Sequence, residues 1–159
     1  MNSLDLVDQK ILTILQKNNR ITNQKLSELV SISPPSCLRK VKQLHELNYI
    51  EQDVAILNPL KFGLNLFAFI LVTLKDHGDS STSEFEDSLQ DLLEVMQCSY
   101  ISGPADYLIQ VLIQDMKEYD LFVRQHISSN SLVLRYESIF EMKRIKSSTR
   151  LPLKKVFAE

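Results

Sequence analysis

The chain has little of what marks several protein classes. Only two of its 159 residues are cysteine, Cys37 and Cys98. That spacing gives neither a disulfide framework nor a metal-ligand set, so free thiols are expected, with no metal and no cofactor. Three glycines and five prolines, with 44% hydrophobic and 24% charged residues, exclude a low-complexity chain and indicate a globular one. No apolar run is long enough to span a bilayer; the longest, residues 64–74, contains Asn65. The opening MNSLDLVDQ lacks a basic stretch followed by an apolar run. No secretory leader is therefore expected, and a cytoplasmic location is. There is no Ser/His/Asp set and no Gly-rich phosphate loop, and His45, His77 and His126 are scattered. His45 is expected to border helix packing, the other two to be solvated, and catalysis is not expected.

Net charge is −2, which argues weakly against nucleic acid until it is divided by region. Residues 1–62 hold eight Lys/Arg against six Asp/Glu, residues 63–134 three against eleven, and residues 135–159 seven against three. A basic amino-terminal part on an acidic body can present a local positive surface.

Residues 21–47, ITNQKLSELVSISPPSCLRKVKQLHEL, read as two short amphipathic helices joined by a tight turn. A helix before them starts at Asp5, a cap with Asp8 three residues later, and buries Val7, Ile11, Ile14 and Leu15. Thr22 caps the next, with Leu26, Leu29 and Val30 as its apolar stripe. Ser33 caps the third, and Pro34 at its first position loses no hydrogen bond. Leu38, Val41, Leu44 and Leu47 are expected to face the other helices, leaving Arg39, Lys40, Lys42, Gln43 and Glu46 outside. Asn48 suits the left-handed residue that ends a helix. Residues 49–57 look extended, and Asn58-Pro59 marks a turn. Domains of 1–58 and 59–159 follow.

The second part reads strand (64–75), helix (81–94), strand (95–102), strand (107–113), a helix capped by Asp115, and a final strand (132–143). That order is ferredoxin-like βαββαβ, so the fold class is α+β. In the first of these strands both alternating sets are apolar: Leu66, Ala68, Ile70 and Val72 on one face, Phe67, Phe69 and Leu71 on the other. Two helices cover only one face. The other needs a second subunit, most economically in an isologous dimer.

With both halves placed, the chain resembles the Lrp/AsnC family, the feast/famine transcription regulators. The resemblance runs nearly end to end, through LDLVDQKILTILQKNNRITNQKLSELV, SPPSCLRKVKQLHELNYI, NPLKFGL, SGPADYLIQV and LPLK. It implies an N-terminal winged helix-turn-helix domain, a C-terminal βαββαβ effector domain, and homodimers that assemble further, often to octamers. It also implies a small-molecule effector, usually an amino acid, bound between dimers. Ser31 stands where the family commonly has Gly before the recognition helix, Asn48 replaces a frequent Gly at that helix's end, and Pro104-Ala105 replaces more polar residues.

Two candidate sites follow. For double-stranded DNA, Ser33, Pro35 and Ser36 lie at the start of the recognition helix, whose first-turn amides suit phosphate oxygens. Arg39 is placed to read a base edge, most readily guanine, and Lys40, Lys42 and Gln43 to meet phosphates or bases. A charge run on a helix is ordinarily a solvated face, but the helix-turn-helix setting and the resemblance favour DNA here. Cys37 reads as a buried thiol before a redox switch. The effector site is expected at Ser102, Gly103, Pro104, Ala105, Asp106 and Tyr107, with Tyr100 and Ser138 from flanking strands. Turn amides would receive a carboxylate and Asp106 an ammonium group, which suits a zwitterion such as leucine or methionine. The rival readings are a siroheme-decarboxylase-like enzyme subunit and a ligand-binding protein without DNA recognition.

Overall fold

A computed structural model describes residues 4–157, which form two compact units: 4–56 with 146–157, and 57–145. By sequence, everything from residue 59 onward is expected in the second. The tail instead groups with the first unit, where the Leu151 N–H donates to Gln16 Oε1 at 3.0 Å and a short helix, Leu153–Val156, follows.

In the first unit α1 is Leu6–Leu15, α2 Asn23–Val30 and α3 Pro34–Glu46. Each starts at a capping residue, Asp5, Thr22 or Ser33, whose side-chain oxygen accepts a first-turn N–H. Ile11, Leu26, Val30, Cys37 and Leu44 are fully buried between the helices, each of the aliphatic side chains contributing on the order of 1.5–3 kcal/mol. Two expected stripes are corrected. Leu29 is outside, and Ser27 is buried in its place with its hydroxyl satisfied by the Gln24 carbonyl at 2.7 Å. On α3 the inward line is Cys37, Val41 and Leu44, while Leu38 is 61% and Leu47 43% exposed. Steps of three residues fall about 60° short of a turn, so Leu38 and Leu47 end up roughly opposite each other.

Among the described residues two non-glycines carry left-handed backbone: Ser31 (φ 61°), between α2 and α3, and Asn48 (φ 58°), which ends α3 as expected. Residues 51–58 form no strand, although residues 49–57 read as extended. Among the described residues no neighbouring strand pairs with them, and an extended segment without a ladder is not a strand.

In the second unit the described strands form one antiparallel sheet: β1 (Leu66–Leu74), β2 (Val95–Tyr100), β3 (Tyr107–Ile113) and β4 (Val133–Phe140), in the order β2-β3-β1-β4. With α4 (Asp79–Gln90) and α5 (Met116–Phe122, continuing as a π-helical turn Val123–Ser128), this is the βαββαβ topology. α4 is shorter than expected: Asp91 ends it, Leu92 lies in the following turn and Leu93 is almost fully exposed. Ala68, Ile70, Val72 and Leu74 of β1 and Tyr107, Ile109, Val111 and Ile113 of β3 are buried with Phe85, Leu89, Tyr119, Phe122 and Ile127 of the helical layer. The alternate residues, Phe67, Phe69 and Leu71 with their β3 partners Leu112, Gln110 and Leu108, occupy the other face. Ile139 pairs with Phe69 from the other side and is 47% exposed. Arg144 lies 3.8 Å above the Phe67 ring, its Nε held by Glu141 at 3.0 Å.

Candidate DNA interface and effector site

The turn into α3 is tightly tied. Ser33 Oγ accepts the Ser36 N–H at 3.4 Å and donates to Ser36 Oγ at 2.9 Å, while Asn23 Nδ2 donates to the Pro34 carbonyl at 2.9 Å. Ser31 makes the left-handed bend that turns α2 into Ser33. Along α3 the exposed positions Pro35, Leu38, Arg39, Lys42, Gln43 and Glu46 follow one helical stripe, spaced by three, one, three, one and three residues. Arg39 and Gln43 share that face. Lys42 approaches Glu46 only at 3.6 Å with both side chains exposed, a pair that hardly restrains it. Cys37 is on the opposite side, fully buried, and burial raises its thiol pKa.

Lys40 departs from the expected role. Its Nζ lies 2.6 Å from Asp5 Oδ2 and 2.8 Å from Asp8 Oδ1. Asp5 Oδ1 accepts the Val7 and Asp8 amides and Asp8 Oδ2 accepts the Asp5 amide, so the α1 capping box turns its remaining oxygens toward Lys40. Lys40, expected to meet DNA, engages two of its N–H donors at the α1–α3 junction, where its side chain is only 22% exposed. The Lys40 hydrogen bond holds Asp5 down at about 2, and the two carboxylates raise Lys40. Asp5 is depressed, so its contribution to stability is complete above about pH 4 and is lost as pH falls toward 2. Lys40→Met is expected to destabilise the first unit by about 1–2 kcal/mol, between an exposed and a buried pair. Urea unfolding at pH 7 and pH 3 checks this, the gap between wild type and variant narrowing at the lower pH.

At the second site, the Ile101 N–H donates to the Asp106 carbonyl at 2.8 Å and the Asp106 N–H to the Val72 carbonyl at 2.9 Å, closing the 102–105 turn. Ser102, Gly103 and Pro104 are exposed, and Gly103 (φ 148°) has open space where a side chain would stand. The other expected effector residues are placed differently. Asp106 Oδ2 accepts the Leu74 N–H at 2.8 Å, and both carboxylate oxygens lie 3.1–3.2 Å from His77 Nε2. The carboxylate expected to meet an ammonium group is thus already engaged within the chain. Ala105 and Tyr107 are buried, and the Tyr107 hydroxyl donates to Glu86 Oε1 at 2.7 Å. Burial first, and Glu86 second, push the Tyr107 pKa well up. Tyr100 is exposed, its ring in an edge-on arrangement with Tyr107 at 5.3 Å between centroids. Ser138 accepts a hydrogen bond from the Tyr119 hydroxyl and sits on β4, the opposite edge of the sheet from β2 and Tyr100. These two guesses do not converge within one chain.

Other residues meet the turn instead. Arg135 Nη2 donates to the Pro104 carbonyl at 2.9 Å and its Nε to Thr73 Oγ1 at 3.3 Å. Glu137, two residues on along β4, shares its face, and Leu71, Thr73, Pro104, Ala105 and Tyr136 complete a shallow hollow around the pair. The alternation of residues 134–143 puts Arg135 and Glu137 together, but nothing in it tells which face meets the turn. His77 is exposed, as expected, and meets the turn through Asp106, while the His126 ring centroid lies 5.2 Å from that of Phe122.

The sequence model described as the Lrp/AsnC ligand binding domain matches residues 67–151, more than half of the chain, and a winged helix-turn-helix DNA-binding model matches residues 4–51. The chain belongs to the Lrp/AsnC family. Among Lrp/AsnC relatives, the DNA-binding transcriptional activator DecR of Escherichia coli K12 is 33% identical over 94% of this chain and 99% of its own. The leucine-responsive regulatory protein of the same strain is 32% identical over 95% and 92%. A transcriptional regulator from Neisseria meningitidis, solved in complex with L-methionine, superposes with TM-score 0.92 at 39% identity, covering 97% of this chain and 99% of that one. This Lrp/AsnC protein is a DNA-binding transcriptional regulator with a ligand-binding domain. Among the described residues no helix is long and apolar enough to cross a membrane.

Proposed function

We propose that this regulator senses an amino acid, leucine- or methionine-like, at the 102–106 turn, and that it acts as a cytoplasmic, non-enzymatic homodimer assembling further toward an octamer. In this reading residues 1–58 carry DNA recognition through Ser33, Pro35, Ser36, Arg39, Lys42 and Gln43, and the βαββαβ unit carries the effector and the subunit contacts. The observation that carries the amino-acid reading is that Arg135 and Glu137 line one hollow beside the exposed Ser102-Gly103-Pro104 turn. A guanidinium has five N–H donors, so Arg135 can hold the turn and meet a carboxylate. Glu137 supplies the opposite charge for an ammonium group. The hollow is shallow in one chain, which supports completion by a neighbouring subunit, and the methionine held by the Neisseria regulator supports the ligand class. The effector acts by binding one assembly more tightly than another, and so changes how paired recognition helices meet DNA.

Thermal denaturation with each of the common amino acids tests the reading. Methionine or leucine is expected to raise the melting temperature, by about 2.7 kcal/mol of added stability at one hundred times its dissociation constant. Arg135→Gln is expected to abolish that rise. No response to any amino acid would remove the proposal.

A further inference from the structure

The exposed stripe of α3 carries one large apolar side chain among its charges. Leu38 is 61% exposed, is absent from the buried cluster that holds the three helices together, and stands beside Arg39. Pro35, one turn earlier, and Lys42, one turn later, share its stripe. Among the described residues of the first unit no packing contact of the buried cluster requires leucine there, since Cys37, Val41 and Leu44 already fill the inward line.

The position narrows what Leu38 meets. In a helix-turn-helix it is the amino-terminal part of the second helix that approaches base edges. Leu38 is in that part, next to the guanidinium best placed to read a base. The apolar group that a base edge presents in the major groove is the C5-methyl of thymine. A Pro35–Leu38 patch flanked by Arg39 and Lys42 is far smaller than the roughly 800 Å² per partner of a stable protein interface. Its positive rim suits DNA rather than a second protein surface.

We propose that Leu38 is a specificity-determining residue that packs on a thymine methyl in the major groove, adjacent to the base read by Arg39. The inference rests on α3 being the reading helix. It gives α3 a mixed code, one polar and one apolar contact from neighbouring residues.

The test uses the full-length protein. Duplexes are selected from random DNA by wild type, Leu38→Ala and Arg39→Ala in parallel, and each thymine of the wild-type sequence is then replaced singly by deoxyuridine. At one position per half-site the loss of the methyl is expected to weaken wild-type binding about four-fold, the value of one buried methyl. The same replacement is expected to leave Leu38→Ala unchanged, and that variant to select any base there. Because deoxyuridine perturbs only the DNA, this arm stands whether or not a variant folds. If no replacement weakens wild type, or if Leu38→Ala keeps the same thymine preference while Arg39→Ala alters selection, Leu38 does not read a methyl although α3 reads DNA. If neither substitution alters selection, α3 is not the reading helix.

Discussion

Phe69→Asp is expected to leave the protein unable to self-associate at micromolar concentration. Phe69 lies in the middle of the sheet face opposite the helices, on central strand β1, between Gln110 of β3 and Ile139 of β4. Its neighbours on the same face are Phe67, Leu71, Leu108 and Leu112, an apolar row uncovered by α4 or α5. An isologous dimer closing on this row brings each changed residue in twice. Each aspartate loses the burial of an aromatic ring and puts an unpaired carboxylate into a desolvated contact, about 3–5 kcal/mol by analogy with broken buried pairs. Sedimentation velocity checks the outcome, with far-UV circular dichroism to show that the monomer keeps its sheet. Phe69→Leu, which retains an apolar side chain, is expected to remain associated. A fully associated Phe69→Asp would place the subunit contact elsewhere. Binding to DNA should fall with dimerisation, because two recognition helices roughly 34–36 Å apart then no longer act together.

Arg39→Ala is expected to lower affinity for specific DNA by about 1–3 kcal/mol, with little change in fold stability. The side chain is exposed on the outer stripe of α3, so its removal opens no cavity. Loss of a bidentate guanine contact should also relax preference at one base, whereas Lys42→Ala should weaken binding to all sequences and flatten the salt dependence. Fluorescence anisotropy with selected and random duplexes at two salt concentrations separates these outcomes. Equal affinity of wild type and Arg39→Ala for the selected duplex would sink the assignment.

Much of this architecture is written in local patterns. Capping residues Asp5, Thr22 and Ser33 mark the helix starts because their oxygens act within three residues. The double alternation of Phe67, Phe69 and Leu71 against Ala68, Ile70 and Val72 shows a sheet covered on one face by helices and apolar on the other. What the sequence hides depends on distant partners. Lys40 reads as one more basic side chain until Asp5 and Asp8, 35 and 32 residues earlier, are seen to hold it. Asp106 reads as an available carboxylate until the Leu74 amide at the end of β1 and His77 in the loop after it are seen to engage it. Leu38 lies outside for a simpler reason: a three-residue step looks helical over two positions and drifts to the far side over four.

The tail at residues 146–157 has a thermodynamic consequence. Because it groups with residues 4–56, the first unit is discontinuous, and its two pieces are separated by the 89 residues from 57 to 145. Bringing them together across a flexible chain of that length would cost about 4 kcal/mol of loop-closure entropy, from (3/2)RT ln n. A folded βαββαβ unit fixes the distance between its own ends and has already borne much of that cost. Docking of the tail, with its Leu151–Gln16 hydrogen bond, is thereby linked to the folding of the effector unit through chain connectivity alone.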